Sequence, residues 1–358
     1  MIFLSTVSSG GQTREESHVK KTLWISLVLL AGAAIAVWYF KSFPRAPTVV
    51  VYVSHDQVFS EPILKDFEKD TGISVRAVYD TEETKSAGAM NRLIAERNNP
   101  QADVYWANEP IRAEVLRQQH IAAPYVSPNA AGIPAIFRDP DGYWTGFAAR
   151  ARVLIVHSDI NPRPTSVLSY TDPRWRGRTV IANPLFGTTT DQIAALFVLW
   201  GDDHGRTFMQ DLHDSGVKIS PSNGDSADLV ARGAFAFGLV DSDDVVNRIK
   251  QHQPIDIVYP DQGVNEIGCF IVPNAAVLIA GAPHPEAGKK LIDYLLSKDT
   301  ERKLALSNAA QIPLHSGVTS PAELRPIESM KVMSVNYAEV AAKLQAIQPF
   351  LKKWVGGG

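Results

Sequence analysis

The segment from residue 48 to residue 79 most constrains the fold of this chain. It begins with "TVVVYVSHDQVF", an apolar run that ends in polar residues, and continues into "SEPILKDFEKDTGISVRAVYD". In the second stretch Ile63, Leu64 and Phe67 share one face of a helix, Gly72 ends it, and another strand follows. A strand, a helix and a strand within about thirty residues indicate a parallel pair joined by a right-handed crossover. The chain is therefore predicted to be an α/β protein.

The same alternation continues along the chain. "ADVYWANEP" and "RTVIANP" read as strands that end in polar residues, and "DPDGYWTGFAARARVLIVHSD" as longer, partly exposed strands. From "GCFIVPNAAVLIAGAPHPEAGKKLIDYLLSKDTERKLAL" we expect a strand, a loop and one long helix. The end, "NYAEVAAKLQAIQPFLKKWV", predicts an amphipathic helix.

The N-terminal region carries a membrane signal. Residues 23–40, "LWISLVLLAGAAIAVWYF", contain no charge and are flanked by lysines and arginine. Their length is near the lower limit for a spanning helix and above the usual core of a signal peptide. The aromatic residues at the end favour an uncleaved anchor, with a cleaved signal sequence as the alternative. Residues 1–22 are then a short tail and residues 41–47 a linker.

Composition limits the class of partner. The 358 residues carry a formal net charge of −3, with no basic block that could follow a phosphate backbone, so nucleic acid is not expected as a partner. The single cysteine, Cys269, excludes an internal disulfide and any cysteine-based metal centre. It lies in the apolar stretch "GCFIVP", which predicts a buried position.

Polar residues follow many of the predicted strands. Open α/β sheets bind ligands at the carboxyl ends of their strands, where the connecting loops converge. Those positions hold Ser54 to Asp56, Tyr79 to Glu82, Asn108 and Glu109, Gly187 to Thr190, Asn223, and Asp241 to Asp244. The sequence therefore predicts a binding site built from strand ends in both halves of the chain.

A metal site is one interpretation of these residues. His55, Glu109, Asp243 and Asp244 combine an imidazole with hard oxygen ligands, a mixture that suits iron, manganese or another divalent or trivalent cation. Each residue also has an ordinary structural interpretation. "VDSDDVVNRIK" could simply be the end of a strand followed by a capped helix with an acidic first turn.

An anion site is the second interpretation. In "LFGTTTDQIAAL", Gly187, Thr188, Thr189 and Thr190 precede an apolar-periodic helix, whose N-terminus favours an oxyanion. The P-loop pattern is missing, and a threonine-capped helix is the alternative. Two residues apart on one strand, Arg150 and Arg152 point to the same face. There Arg150 could clamp a carboxylate or phosphate, or pair with an acidic neighbour.

No catalytic set stands out, because the sequence offers no nucleophile elbow and no matched acid, base and nucleophile. We therefore do not expect an enzyme.

A family resemblance rests on several of these motifs in order. They are "YVSHDQVFSEPILKDFEKDTGISV", "ADVYWANE", "ARVLIVHSD", "YTDPRWRGR" with the glycine-threonine loop, and "APHPEAGKKLIDYLLSKDTERKLA" with "QIPL" behind it. Over residues 48–315 the chain resembles the solute-binding proteins of ABC transporters, in the type II periplasmic-binding fold and its ferric-iron-binding branch. The resemblance implies two lobes joined by hinge strands, with lobe 1 at 48–148 and 268–320 and lobe 2 at 149–267 and 321–358.

The resemblance also implies roles for particular residues. In similar ferric binders a histidine, a glutamate and two adjacent tyrosines hold the metal. The matching residues here are His55, Glu109 and, in place of the tyrosines, Asp243 and Asp244. Asn108 is an alternative to Glu109, and Asp241, Ser242 and Thr81 are expected to support the ligands or replace one. The synergistic anion, such as phosphate or carbonate, would lie against Gly187 to Thr190, Asn223 and Arg150.

The missing tyrosines matter because tyrosinate suits iron(III), whereas aspartates bind many hard cations with less discrimination. We expect a periplasmic or otherwise extracytoplasmic protein, anchored or secreted, that binds iron(III) or another hard metal ion. It would pass that ion to an ABC permease in the inner membrane. The alternatives are a binder of a small phosphorylated or carboxylated solute and an extracytoplasmic ligand-sensing domain. The acidic residues argue against an organic anion unless Arg150 or a bound cation offsets their charge.

Overall fold

The computed structural model describes residues 24–26, 29–32, 47–80 and 87–356. Residues 24–26 and 29–32 are helical. Within the described ranges, no helix combines the length and the apolar character needed to cross a membrane. The anchor or signal sequence predicted over residues 23–40 lies largely outside these ranges, and Thr81 lies outside them entirely.

The β-α-β unit predicted at residues 48–79 is confirmed. Strand β1 (Thr48–Val53) pairs in parallel with β2 (Ser74–Tyr79), and helix α1 (Gln57–Thr71) connects them. The apolar face of α1 is buried. Gly72 ends the helix in the left-handed conformation, with φ of 69°, which glycine adopts without steric penalty. Local sequence pattern thus determines this unit.

The first half of the described fold continues this layer. Strand β3 (Val104–Ala107) pairs in parallel with β1. Its other elements are helix α2 (Ala87–Ala95), helix α3 (Pro110–Gln118) and the short strand β4 (Ala122–Ala123).

A single long strand joins the two halves. Strand β5 (Thr145–His157) pairs with β10 (Ile271–Ile279) through residues 145–151 and with β8 (Phe237–Asp241) through residues 152–156. Ala148 has φ of 41° at the bulge in the pairing with β10, a left-handed backbone conformation that is uncommon for alanine. Strand β5 therefore carries the chain from one half to the other.

The second half repeats the alternation of strand and helix. Strand β6 lies parallel to both β7 and β8, and β9 pairs with β5. Its elements are β6 (Thr179–Ala182), α4 (Gly187–Asp214), β7 (Lys218–Ser220), α5 (Asn223–Ala231), β8, α6 (Ser242–Lys250) and β9 (Ile255–Val258). The strand order across both halves is β2-β1-β3-β10-β5-β8-β6-β7.

The C-terminal helices partly differ from expectation. The one long helix predicted after β10 is wrong, because two helices form there, α7 (Pro285–Leu295) and α8 (Lys298–Leu306). The Ser297 side chain accepts a hydrogen bond from the backbone N–H of Thr300, which starts the second helix. The predicted last helix, α9 (Tyr337–Val355), is confirmed and packs against α3 and α4. Cys269 is buried, as predicted.

Candidate ligand-binding site

The site residues of the first half lie directly after β1 and β3. His55 is buried, and its ring stacks on that of Trp106 with the ring centroids 5.5 Å apart. Glu109 occupies the position before α3 and is completely buried. Its Oε1 accepts a hydrogen bond of 2.8 Å from Arg112 Nε. Burial opposes ionisation, but the charge of Arg112 and a hydrogen bond with Asp191 lower the pKa of Glu109.

Asp241, the last residue of β8, is the centre of a buried ion-pair network. Its Oδ1 accepts from Arg152 Nη1 at 2.8 Å, and its Oδ2 from Arg150 Nη1 at 3.2 Å. Oδ2 also accepts from Thr188 Oγ1 at 3.0 Å and from Asn223 Nδ2 at 3.3 Å. Burial opposes ionisation of Asp241, and the two arginines overcome it and lower its pKa. Protein donors therefore already occupy both oxygens of Asp241.

The threonine loop forms the first turn of α4, as the sequence predicts, and its hydroxyls are engaged with protein groups. Thr189 Oγ1 donates to Asn223 Oδ1 at 3.2 Å and accepts from Arg152 Nη2 at 3.1 Å. Thr190 Oγ1 donates to the backbone oxygen of Pro184. Gly187 has φ of 59°, a left-handed conformation that lets the chain turn into the helix. With the bond from Thr188 to Asp241, these contacts attach the predicted anion loop to α5, β5 and β8.

Arg150 links the two halves of the site. Its Nη2 donates to the backbone oxygen of Asn108 at 2.5 Å, while its Nη1 bonds Asp241. Both interpretations offered by the sequence concern this side chain, and the structure shows pairing with an acidic neighbour. Ser242 Oγ accepts from the backbone N–H of Ala151, the residue next to Arg150 in β5.

Asp243 and Asp244 lie in the first turn of α6. Burial raises the pKa of Asp243 to about 6, with Arg150 opposing the shift and the charge of Asp241 adding to it. Burial and the charge of Asp243 raise the pKa of Asp244 well above its usual range. Asp243 Oδ1 is buried, and no described residue donates a hydrogen bond to it. Asp244 lies 3.5 Å from Arg248 Nη1.

Among the described residues, one group of three acids could share a metal ion. Ligand atoms of Asp241, Asp243 and Asp244 all lie within 4.8 Å of one another. His55 and Glu109 do not belong to this group, so the structure does not bring together all four residues predicted to bind metal.

Sequence reasoning missed two neighbours of the predicted residues. Arg112 is one helical turn after Glu109, a spacing that could have revealed the pair. Asp191 follows the three threonines directly and is completely buried beside Glu109. No local pattern connects Asp191 with Glu109, because they lie on different halves of the fold.

Known proteins resemble this chain in sequence and in fold. Residues 63–324 match the sequence model of a family described as bacterial extracellular solute-binding protein. Iron uptake protein A1 of Synechocystis sp. is 25% identical over 295 residues, which cover 77% of this chain and 79% of that protein. A putative 2-aminoethylphosphonate-binding periplasmic protein of Salmonella typhimurium is 26% identical over 290 residues, covering 78% and 82%.

A solved structure shows the same fold. The apo ferric ion-binding protein A of Pasteurella haemolytica superposes with a TM-score of 0.76 and 21% sequence identity. The alignment covers 87% of this chain and 98% of that one. The expected two-lobed periplasmic-binding fold is confirmed.

Proposed function

The chain belongs to the bacterial extracellular solute-binding proteins, and from that premise we propose that it binds iron(III) or another hard metal ion for an ABC permease. Members of this family bind solutes outside the cytoplasm, so the expected class of function is confirmed. The metal, its ligands and the permease are the proposed part. Relatives named as iron uptake and ferric-binding proteins support the choice of metal.

One observation carries the proposal. Asp243 and Asp244 form an acidic pair at the end of β8, and Asp243 Oδ1 has no protein donor among the described residues. Buried carboxylates in proteins are normally satisfied by donors or by cations. Hard cations such as iron(III) prefer carboxylate oxygens. A bound metal ion would therefore complete this acidic pair.

The charge balance around Arg150 also favours a cation. Four guanidinium groups meet six carboxyl groups in the site, which leaves an excess of acids. The arginines are Arg112, Arg150, Arg152 and Arg248, and the acids are Asp56, Glu109, Asp191, Asp241, Asp243 and Asp244. Unbalanced carboxylates attract a cation and repel a simple anion.

Proposed roles follow the positions of the side chains. His55, Glu109, Asp243 and Asp244 are the proposed metal ligands, brought together when the two halves close on the ion. The helix N-terminus at Thr188 and Thr189 is the proposed seat of a synergistic anion such as phosphate or carbonate. Asp241 positions Arg150 and Arg152 next to these groups without being a ligand itself.

A second candidate is a small organic phosphate or phosphonate. Arg150, Thr188, Thr189 and Asn223 are neighbours in one polar network, which is the chemistry that such a group needs. The Salmonella relative is named for a phosphonate. A solute of this kind that also carried an ammonium group could place it against Asp243 and Asp244.

Calorimetry on the purified chain distinguishes the two candidates. The probes are ferric citrate, 2-aminoethylphosphonate and fructose 6-phosphate. Of the three probes, we expect only ferric citrate to give binding heat. The double variant Asp243→Asn/Asp244→Asn should lower the affinity for iron by more than about a hundredfold. The control is Asp202→Asn/Asp203→Asn, an adjacent and exposed acidic pair on α4. Binding of either organic probe with no response to ferric citrate would refute the metal proposal.

A further inference from the structure

Asp191 is a buried acid whose carboxyl group faces that of Glu109 and receives no hydrogen bond from a donor group of the described residues. It lies in the second turn of α4, and its side chain is fully buried. Among the residues that the structure describes, no donor bonds to Oδ1 or Oδ2 of Asp191, and none bonds to Oε2 of Glu109. Three carboxylate oxygens are thus buried without a donor at one point in the molecule. Leaving buried polar groups unsatisfied costs free energy, and native proteins seldom do so.

The two acids face each other across the two halves of the fold. Glu109 precedes α3 in the first half, and Asp191 belongs to α4 in the second. Two carboxyl groups are both acceptors, so a direct bond between them needs a shared proton or a cation.

Other buried acids of this chain show what a fully hydrogen-bonded acid looks like. Asp241 receives hydrogen bonds from two arginines, a threonine and an asparagine. Glu301 receives three from backbone N–H groups and one from the ring of His315. Apart from the carboxyl group of Glu109, Asp191 has no such partner among the described residues, although Arg112 and Arg150 are close enough to influence it. The hydrogen bonds that satisfy Asp241 and Glu301 therefore have no counterpart at Asp191.

We propose that Asp191 is itself a ligand of the bound cation, opposite Glu109. The cation would satisfy Asp191 Oδ1, Asp191 Oδ2 and Glu109 Oε2, and would tie α4 to α3. This inference rests on the proposed function, because it places one more ligand in that same site. It also explains how a site without tyrosine gains enough negative charge for a trivalent ion.

The test compares three variants of the full chain with the wild type, with ferric citrate as the probe. Asp191→Asn keeps the size of the side chain and removes its charge. Asp191→Glu keeps the carboxylate. Asp203→Asn makes the same change of charge at an exposed position of α4, beyond the kink at Gly201. Quenching of tryptophan fluorescence reports binding, since Trp106 lies against His55. Electron paramagnetic resonance of the iron-loaded protein reports the ligand field.

We expect Asp191→Asn to weaken iron binding by about a hundredfold or more, beyond the roughly 10- to 100-fold cost of losing a group that only positions a ligand. The electron paramagnetic resonance spectrum of the iron that Asp191→Asn still binds should also change shape. The iron affinity of Asp191→Glu should stay within about tenfold of that of the wild type. The iron affinity of Asp203→Asn should equal that of the wild type. The melting temperature of metal-free Asp191→Asn should not fall, because the substitution removes a buried acid and not a packing group.

Each contrary result has one meaning. If the wild type binds iron, and Asp191→Asn binds it equally well with the same resonance signal, Asp191 is not a ligand while the proposed function stands. If both Asp191 variants bind weakly but keep the wild-type signal, Asp191 only positions Glu109, and the inference is overturned. If the wild type ignores ferric citrate and binds fructose 6-phosphate, the proposed function fails together with the inference.

Discussion

Two buried acids, Asp241 and Glu301, hold the crossing strand β5 in different ways. Asp241 binds side chains of this strand, since Arg150 and Arg152 both belong to β5. Glu301 binds its backbone, because Oε1 of Glu301 accepts a hydrogen bond of 2.9 Å from the N–H of Ala148. Both acids have a lowered pKa despite burial, which shows that each is well supplied with donors.

The donors around Glu301 are mostly fixed by the chain. Oε1 also accepts from the N–H of Leu314, and Oε2 accepts from the N–H and the Nδ1 of His315. His315 Nε2 lies 2.8 Å from the backbone oxygen of Asn129. Because both ring nitrogens face acceptors, the surroundings favour the doubly protonated, positively charged imidazole, in agreement with a raised pKa of His315. This network fastens Ala148, whose left-handed backbone would otherwise be unfavourable.

The donors around Asp241 are side chains that also line the site. Arg150, Thr188 and Asn223 hold Asp241 through side-chain groups, which can rotate without a movement of the backbone. The donors of Glu301 cannot rearrange unless the chain itself moves. Asp241 thus bonds to side chains of the proposed binding site, whereas Glu301 stabilises the left-handed backbone at Ala148.

Removing Asp241 should have the largest effect on stability. Asp241→Ala leaves Arg152, which is fully buried, without its ionic partner. Breaking a buried ion pair on one side costs about 3–5 kcal/mol. Urea unfolding followed by circular dichroism measures the loss. Asp228→Ala is the control, because it breaks an exposed pair with Arg248 that should contribute less than about 1 kcal/mol. Equal losses in the two variants would contradict the prediction.

Glu301→Gln should have the next largest effect, about 2–3 kcal/mol. The amide nitrogen would face the two donors of His315, so those hydrogen bonds are lost together with the ion pair. If the comparison holds, the folded variant binds solute with nearly wild-type affinity, unlike Asp241→Ala. Calorimetry below the unfolding transition tests this point. A large loss of affinity at full stability would place Glu301 in the binding machinery instead.

Sequence pattern predicts the layout of the fold because its causes are local. The period of apolar residues in β1 and α1 is visible in a short window, whereas the stretch predicted as longer, partly exposed strands forms the single, buried strand β5. The polar strand ends placed Asp241, Asp243 and Asp244 at the edge of the sheet. The break between α7 and α8 was missed because a serine cap competes with a continuous helical pattern.

The pairing of side chains was beyond reach because it depends on tertiary structure. The sequence suggests that Arg150 and Arg152 share a face, but not that both bind Asp241. Asp241 occupies the position before α6, yet its side chain makes no capping bond there and binds the arginines instead. Contacts such as Glu109 with Asp191 join distant parts of the chain, which periodicity does not describe.

Asp243→Asn should stabilise the metal-free protein, whereas Asp241→Ala should destabilise it. Asp243 Oδ1 is buried without a donor among the described residues, so its charge destabilises the metal-free protein. We expect the neutral amide to stabilise the protein by about 1–2 kcal/mol at pH 7, while iron affinity falls. Thermal unfolding with and without ferric citrate measures both effects. A metal-free variant that unfolds more easily than the wild type would show that Asp243 is a structural acid.

The smallest effect is a pH dependence from His315. Its hydrogen bond to Glu301 raises the pKa of His315 above the ordinary value of 6.5, with burial opposing. A raised folded pKa means that the stabilisation is complete below pH 6.5 and disappears as the pH rises through the folded value. The neutral ring keeps one donor, so the loss is about 0.5–1 kcal/mol.

The difference in stability between wild type and His315→Gln should therefore shrink at alkaline pH, whereas His204→Gln, at an exposed histidine, should change nothing. Urea unfolding at pH 6 and pH 9 measures that difference. Glu301 has a lowered pKa, so its own contribution to stability is present above about pH 4.5 and is lost only in acid. Between pH 6 and pH 9 the change in stability therefore reports the charge of the His315 ring. A difference that grows with pH would mean that His315 acts as a neutral ring, and that Glu301 holds Ala148 without ionic help.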